Sequence, residues 1–374
     1  MTKADQTPLV ASLPSTVPFV GPETQERARG SAFAARLGAN ESVFGPSPKA
    51  IAAMTAAAGE IWKYGDPENH ELRHALAAKH GVEPDNIVVG EGIDGMFGYI
   101  NRMFVEPGVT VATSLGAYPT FNFHVAGYGG RLVTTPYVDD KEDPETLSDL
   151  ARRESARLIY FANPDNPMGG WWPADRMQAL IDTVPDGALL CLDEAYIDFA
   201  PDGTAPPINP DDPRVIRFRT FSKAYGMAGA RVAYAIATAE LATAFNKVRN
   251  HFGVNRIAQI GALASLNDPD WIPYVRAAVE KARADIGDIA ARHGLTPLPS
   301  ATNFVTIDCG RDGVFAKAVL DGLIARDVFV RMPFVAPQNR CIRVSAGTPA
   351  DLDAFDAALP GALADAQASI GASA

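Results

Sequence analysis

The sequence predicts an α/β protein: a doubly wound, mostly parallel mixed sheet flanked by helices, joined to a smaller α+β unit. Three observations predict it. Apolar runs of strand length alternate with helical stretches over the first two thirds of the chain. Four such runs, Val109–Ser114, Leu158–Ala162, Ala188–Leu192 and Val215–Phe218, lead into Phe121, Asn166, Asp193 and Lys223. From Pro299 onward the texture changes to short strands and helices. Parallel strands of a doubly wound sheet end along one crevice, where ligands bind, so these four residues are expected to share a site. The division drawn from sequence is an N-terminal arm with part of the smaller unit (1–48), a large unit (49–265) and the smaller C-terminal unit (266–374).

A chain of 374 residues exceeds what one hydrophobic core usually holds, which also favours two units. A net charge of −11 with no basic block excludes nucleic acid and anionic membrane as partners. No apolar run approaches the roughly 18 residues of a membrane span. Residues 1–30 are polar and lack the apolar core of a signal peptide. Cys191, Cys309 and Cys341 are too few and too scattered for a disulfide framework. The expected compartment is the cytoplasm.

In chain order, residues 1–30 read as an extended arm. The turn-rich segment Leu37–Pro48, with Asn40 as a turn former or a ligand contact, precedes an Ala-rich helix from about Lys49 to Ala58. Two motifs then mislead. His70-Glu71-x-x-His74 matches a zinc-protease pattern, with His80 where one subclass places a third ligand. That subclass breaks the helix with a glycine, and the slot here holds Ala77. A continuous helix turns His80 about 240° away from His74. The stretch is better read as an amphipathic helix burying Leu72, Ala75, Leu76 and Ala78. The second motif, Gly90-x-Gly92-x-x-Gly95, spells a dinucleotide fingerprint, but the next strand carries no acid at its end. What survives is a helix N-terminus with backbone N–H groups ready for a phosphate.

Beyond it, residues 138–157 read as charged and loop-like before another helix. Two Asn-Pro pairs, at 163–164 and 166–167, fix a turn and aim the asparagine amides. Asp193 closes a buried apolar run, so its carboxylate needs a cationic or hydrogen-bonding partner. Helical stretches are expected at Glu240–Phe252 and Asp268–His293. Thr220, Ser222 and Arg231 surround Lys223 with two hydroxyls and a guanidinium. This suits a lysine that forms a Schiff base with a phosphorylated aldehyde.

Taken together, these residues resemble the class I and II pyridoxal-phosphate aminotransferases of fold type I, most closely the histidinol-phosphate aminotransferase branch. The resemblance runs from about Leu37 to Thr348. It implies pyridoxal 5'-phosphate as cofactor, an amino donor and a 2-oxo acid such as 2-oxoglutarate as substrates, and a homodimer. It also implies that Lys223 bonds the cofactor and carries the proton between two substrate carbons, and that Asp193 keeps the pyridine nitrogen protonated. Tyr196 and Asn166 match partners of the ring hydroxyl, and Phe121 matches the stacking aromatic. Ile93 and Asp94 match backbone donors to the phosphate, joined by Thr220, Ser222 and Arg231. Tyr64 matches a residue reaching the cofactor phosphate of the other subunit. Arg343 matches the grip on the substrate's acidic group, with Arg331 and Asn40 placed beside it.

Four departures concern the substrate rather than the cofactor. Gly95 stands where the branch has an acid, Met168 replaces the threonine of Asn-Pro-Thr-Gly, Ser42-Val43 replaces Asn-Pro, and Phe44 has no phenolic hydroxyl. Histidinol phosphate, an aromatic amino acid and another amino acid all stay open as donors. A decarboxylase acting on a phosphorylated amino acid is the alternative with the same cofactor.

Overall fold

The computed structural model describes residues 5–15 and 20–371, so expectations for residues 1–4, 16–19 and 372–374 lie outside the described residues. Twelve strands are present among the described residues. They are β1 (Ala35–Arg36), β2 (Ile87–Gly90), β3 (Thr110–Ser114), β4 (Arg131–Thr135), β5 (Leu158–Ala162), β6 (Leu189–Asp193), β7 (Val215–Thr220), β8 (Ala233–Ile236), β9 (Thr296–Pro297), β10 (Phe304–Asp308), β11 (Val328–Phe329) and β12 (Cys341–Ser345). Seven of them form one sheet in the order β2-β8-β7-β6-β5-β3-β4. Strands β3 to β7 run parallel, and β8 lies antiparallel to both β2 and β7.

The alternation along β5 shows why the sheet is covered on both faces. Leu158, Tyr160 and Ala162 join a core made with Phe97, Ile100 and Phe121 from the helices Gly92–Phe104 and Pro119–Gly127. Ile159 and Phe161 point the other way, into a core with Leu147, Leu150, Met177 and Leu180 from the helices Pro144–Arg153 and Ala174–Asp182. A strand buried on both faces needs a continuous apolar run, which is what β5 and β6 supply.

A further core joins opposite ends of the chain. Ala35 and Leu37 pack with Val275, Val279, Phe304, Val319, Ile342 and Phe355. Strand β1 pairs in parallel with β11, while β9, β10 and β12 form an antiparallel sheet. The segment carrying Asn40 is thereby tied to the C-terminal unit.

Several expectations need correction. The stretch 138–157 contains the helix Pro144–Arg153, started by Asp143, whose carboxylate accepts from the Thr146 N–H at 2.8 Å. The described part of the arm holds two helices, Pro8–Ser12 and Pro22–Arg29. The second is held by ion pairs from Arg29 to Asp327 and from Arg36 to Glu23 and Glu26. The helix expected over Glu240–Phe252 stops at Ala244 and tightens into a single 3-10 turn, and a separate helix, Arg256–Leu266, follows. The helix His70–His80 buries Ala77 rather than Ala78. His80 leaves the other two histidines and sets its Nε2 2.8 Å from the Tyr234 hydroxyl.

Candidate active site

A cavity of about 610 Å³ opens at the C-terminal ends of the parallel strands. The structure brings most of the expected site residues to its wall: Asn40, Ile93, Asp94, Asn166, Asp193, Tyr196, Thr220, Ser222, Lys223, Arg231, Arg331 and Arg343 all line it.

Lys223 follows the end of β7 and, among the described residues, is the only lysine that lines the cavity. Its Nζ donates to the Asn40 carbonyl at 3.2 Å and sits 5.5 Å from the centre of the Tyr196 ring. No carboxylate pairs with it among the described residues. Two glycines let the surrounding backbone close in. Gly226 has φ +67°, and a Cβ there would stand 2.0 Å from the Gly45 carbonyl oxygen. Gly92 has φ +82°, and a Cβ there would stand 2.1 Å from the Arg231 guanidinium.

Arg231 itself holds a left-handed backbone (φ 54°), unusual for a bulky residue and often found where geometry serves a site. Its Nη1 donates to Ser222 Oγ at 3.3 Å and to the Ala228 carbonyl at 3.0 Å. Ser222 and Thr220 are buried beside it, and the Ser222 N–H donates to Thr220 Oγ1 at 3.0 Å. With the N-terminus of the helix Gly92–Phe104 opposite, the group forms a cationic, N–H-rich cradle for an anion. The Asp94 carboxylate turns out of that cradle and accepts from the Tyr118 hydroxyl at 3.1 Å. This leaves the backbone of the first helical turn available to the anion.

Asp193 ends β6 and is 6% exposed. It accepts from the Tyr160 hydroxyl at 2.8 Å and from the Ala195 N–H at 2.9 Å. Burial pushes its carboxyl up to about 6, against the pull of those two donors and the more distant Lys223. The next residue has the opposite balance. Burial raises Glu194 as well, but the flanking guanidiniums of Arg217 and Arg219 hold it at about 2. This ion-paired carboxylate ties β6 to β7 just below the site, while Asp193 faces the cavity without a cation.

Asn40 is buried, has φ 55°, and ties several elements together. Its amide nitrogen donates to Tyr196 Oη at 3.0 Å, its side-chain oxygen accepts from Ser345 Oγ at 3.0 Å, and its carbonyl receives Asn303 Nδ2 at 3.0 Å as well as Lys223. Arg343, from β12, reaches across to Asn166, whose Oδ1 accepts from Nη1. It also donates to the Gly38 carbonyl at 3.3 Å, while its buried Nε has no partner. No carboxylate pairs with Arg343 among the described residues, and burial lowers its proton affinity. Arg331 exchanges backbone hydrogen bonds with Arg343 at 3.2 and 2.6 Å and lines the same wall.

Two expected residues lie elsewhere. Phe121 is fully buried beneath the site, stacked on Tyr160 at 4.6 Å and edge-on to Phe97 at 5.3 Å, so it presents no face to the cavity. Pro119 starts a helix that carries residue 121 inward, and Tyr118, the residue before that proline, is left on the wall. Burial and the Asp94 carboxylate push the Tyr118 phenol up, so it keeps its proton and donates. Tyr64 does not line the cavity of its own chain. It is 78% exposed and packs on Phe252 at 4.7 Å, next to the exposed Ile61 and Trp62. Sequence reasoning also passed over Tyr160, the partner of Asp193. The available signal was a phenol inside an otherwise apolar strand, which needs a buried partner for its hydroxyl.

One lysine, a buried carboxylate and a cationic, N–H-rich cradle thus line one cavity at the strand ends of a mixed sheet. The family described as aminotransferase class I and II matches residues 35–359. The chain therefore belongs to the class I and II aminotransferases and is a transaminase. It is 33% identical to histidinol-phosphate aminotransferase 2 of Carboxydothermus hydrogenoformans over 339 residues, spanning 89% of this chain and 92% of the relative. Identity to the histidinol-phosphate aminotransferase of an Anaeromyxobacter species is 36% over 330 residues, 86% of this chain and 90% of the relative. The crystal structure of histidinol-phosphate aminotransferase from Sinorhizobium meliloti in complex with pyridoxal-5'-phosphate superposes with a TM-score of 0.94 at 54% identity. That match covers 97% of this chain and 98% of the other. Among the described residues no helix is long and apolar enough to cross a membrane.

Proposed function

We propose that this transaminase binds pyridoxal 5'-phosphate in the cavity and takes its amino group from histidinol phosphate, passing it to a 2-oxo acid. The observation that carries the donor assignment is Arg343, a half-buried arginine with a buried Nε and no carboxylate partner among the described residues, set beside Arg331 on the cavity wall. Two adjacent arginines suit a doubly charged phosphate better than a single carboxylate. The relatives' names point the same way.

The residues fit the cofactor. Ser222, Thr220, Arg231 and the first-turn N–H groups of Ile93 and Asp94 would hold its phosphate. Asp193 would face the ring nitrogen, Asn166 and Tyr196 the ring hydroxyl, and Tyr118, in place of Phe121, the ring face. Bound there, pyridoxal phosphate supplies a carbonyl for amine exchange and a conjugated ring that takes up electrons from the substrate carbon. The protein supplies the rest. Lys223 Nζ, held by the Asn40 carbonyl, removes the proton from the donor carbon and delivers it to the neighbouring one. The Asp193 carboxylate would keep a proton on the ring nitrogen. The Asn40 amide fixes the Tyr196 hydroxyl, which would meet the ring hydroxyl. Arg343, with Asn166, would anchor the donor's anion and so present its reacting carbon to Nζ.

Replacing Arg343 by lysine removes the fork but keeps the charge. With a charge-assisted bond contributing on the order of 1.5–3 kcal/mol, kcat/KM for histidinol phosphate is expected to fall roughly 10- to 150-fold. The cofactor absorbance should not change. Donors screened in parallel (histidinol phosphate, phenylalanine, tyrosine) test the substrate: turnover of amino acids alone would keep the transaminase and overturn the phosphate donor. Parental kcat/KM on every donor would return Arg343 to a packing role.

The working unit is a two-fold dimer in which Tyr64 completes the partner's phosphate cradle. The support is its exposure, 78%, within an apolar strip of Ile61, Trp62 and Phe252 that its own chain leaves uncovered. Tyr64→Ala and Lys223→Ala chains, each inactive alone, should complement when mixed. One intact site in half of the dimers gives about a quarter of parental activity. No recovery, or a fully active monomer by light scattering, would overturn the shared site.

A further inference from the structure

Behind the turn that carries Asn166, two carboxyl groups meet in the interior. Glu142 is 1% exposed and Asp165 2%. Neither forms an ion pair among the described residues. Their donors are few. Asp165 Oδ1 accepts from the Tyr137 hydroxyl at 2.9 Å, and Oδ2 from the Met168 N–H at 3.1 Å. Glu142 Oε1 accepts from the Ala162 N–H at 3.2 Å, and its buried Oε2 accepts from no one. Two ionised carboxylates side by side, with those three donors, the Ser114 hydroxyl alongside and no cation, would face both a desolvation penalty and mutual repulsion. A proton on Glu142 Oε2 removes both difficulties, because the neutral acid can then donate to Asp165.

The pair is built into the substrate side of the site. Asp165 closes the turn around Asn166 through Met168 N–H, through its own N–H to the Gly170 carbonyl at 2.9 Å, and through its carbonyl to the Gly169 N–H at 3.1 Å. Asn166 at the tip accepts from Arg343. The charged and titratable groups around the pair are Tyr137, Tyr160, Asp193 and, across the cavity wall, Arg343. Ser114 on β3 and the backbone of β5 complete the surround. The nearby Lys141 lays its Nζ over the Trp171 and Trp172 rings at 5.9 and 5.1 Å, and Arg340 is bound to Asp140 and Asp308 at 2.7 Å each.

We propose that Glu142 and Asp165 are a positioning pair for substrate binding, sharing one proton so that a single negative charge lies behind Arg343 and the Asn166 turn. This rests on Arg343 as the seat of the donor's anion. Burial first, and then the Asp165 charge, raises Glu142 well above the carboxylate range, while burial raises Asp165 to about 7 against the hydrogen bonds from Tyr137, Met168 and Glu142. Acids raised by folding stabilise the protein at low pH, and that contribution is lost as pH rises through their folded ionisation. When the second proton leaves, a second negative charge stands behind Arg343. It opposes the incoming anion, so KM rises while kcat holds.

The test uses the cofactor-loaded full chain and its Glu142→Gln variant, in which the amide copies the neutral acid and can never ionise. The infrared spectrum of the parent without substrate should contain the carbonyl band of a neutral carboxylic acid, absent from Glu142→Gln. The donor's own ionisations cancel in the ratio of parent to variant. That KM ratio should be near one at about pH 6 and climb roughly tenfold by about pH 9, with the kcat ratio flat. A parent spectrum without the neutral-acid band, or a KM ratio that ignores pH, would overturn the proposal. The infrared band reports the shared proton whether or not Arg343 seats the substrate, so failure of the Arg343 assignment is read separately from the Arg343→Lys kinetics.

Discussion

Lys223→Ala is expected to lose at least about 10⁴-fold in turnover, the largest effect of any single change in this chain. The proton shuttle alone accounts for 10²–10⁴-fold in enzymes of this kind, and the covalent bond to the cofactor is lost as well. The structure explains why no neighbour substitutes. Among the described residues Lys223 is the only lysine lining the cavity, and its Nζ is steered by the carbonyl of Asn40, which three further side chains, those of Tyr196, Ser345 and Asn303, fix in place. Folding should be unaffected, since the lysine makes one hydrogen bond to a carbonyl that keeps Asn303 as a donor. The check is borohydride reduction of the loaded enzyme followed by mass mapping. The reduced adduct should sit on Lys223 in the parent and be missing from the variant. An adduct on any other lysine would sink the assignment.

Much of this site was legible because strand ends carry chemistry in a doubly wound sheet. Asp193, Lys223 and the Asn166 turn each follow an apolar run that could only be a buried strand, so topology alone brought them together. The failures have equally local causes. Phe121 and Tyr118 are three residues apart around Pro119, and which of them faces the cavity depends on where the helix starts, a boundary periodicity does not fix. The helix Pro144–Arg153 hid behind its charges; its apolar side is only Leu147, Leu150 and Ala151, packed on the sheet. Tyr160 and Glu142 were invisible as partners because their contacts, to Asp193 and Asp165, cross 33 and 23 positions of chain. Such pairings follow from strand register and turn geometry, which sequence does not display.

Asp193→Asn should produce opposite effects on the protein with and without its cofactor. In the chain alone, Asp193 is a buried carboxylate facing a cavity, raised from the usual range to about 6 by burial. An acid raised in the folded state stabilises below its unfolded value, and that stability is lost as pH rises through about 6. At pH 8 the parent without cofactor therefore carries an ionised, desolvated group, disfavoured by up to on the order of 3 kcal/mol. An asparagine in the same place can still accept from Tyr160 or Ala195 and carries no charge. The cofactor-free variant should thus melt higher than the parent at pH 8, by about half as much at pH 5, and level with it only below about pH 4, where the unfolded carboxylate is protonated too. Loading reverses the order. A protonated ring nitrogen facing Asp193 would turn the parent's liability into a buried ion pair, and removing one member of such a pair costs about 3–5 kcal/mol. Turnover should fall by roughly 10²–10³-fold or more, and the melting-point gain on adding pyridoxal phosphate should shrink in the variant. In the parent that gain should be larger at pH 8 than at pH 5, because only an ionised Asp193 profits from the cation. Four melting curves per protein, with and without cofactor at the two pH values, decide the matter. If the variant gained as much from the cofactor as the parent, or if the parent's gain did not depend on pH, Asp193 would not be the partner of the ring nitrogen.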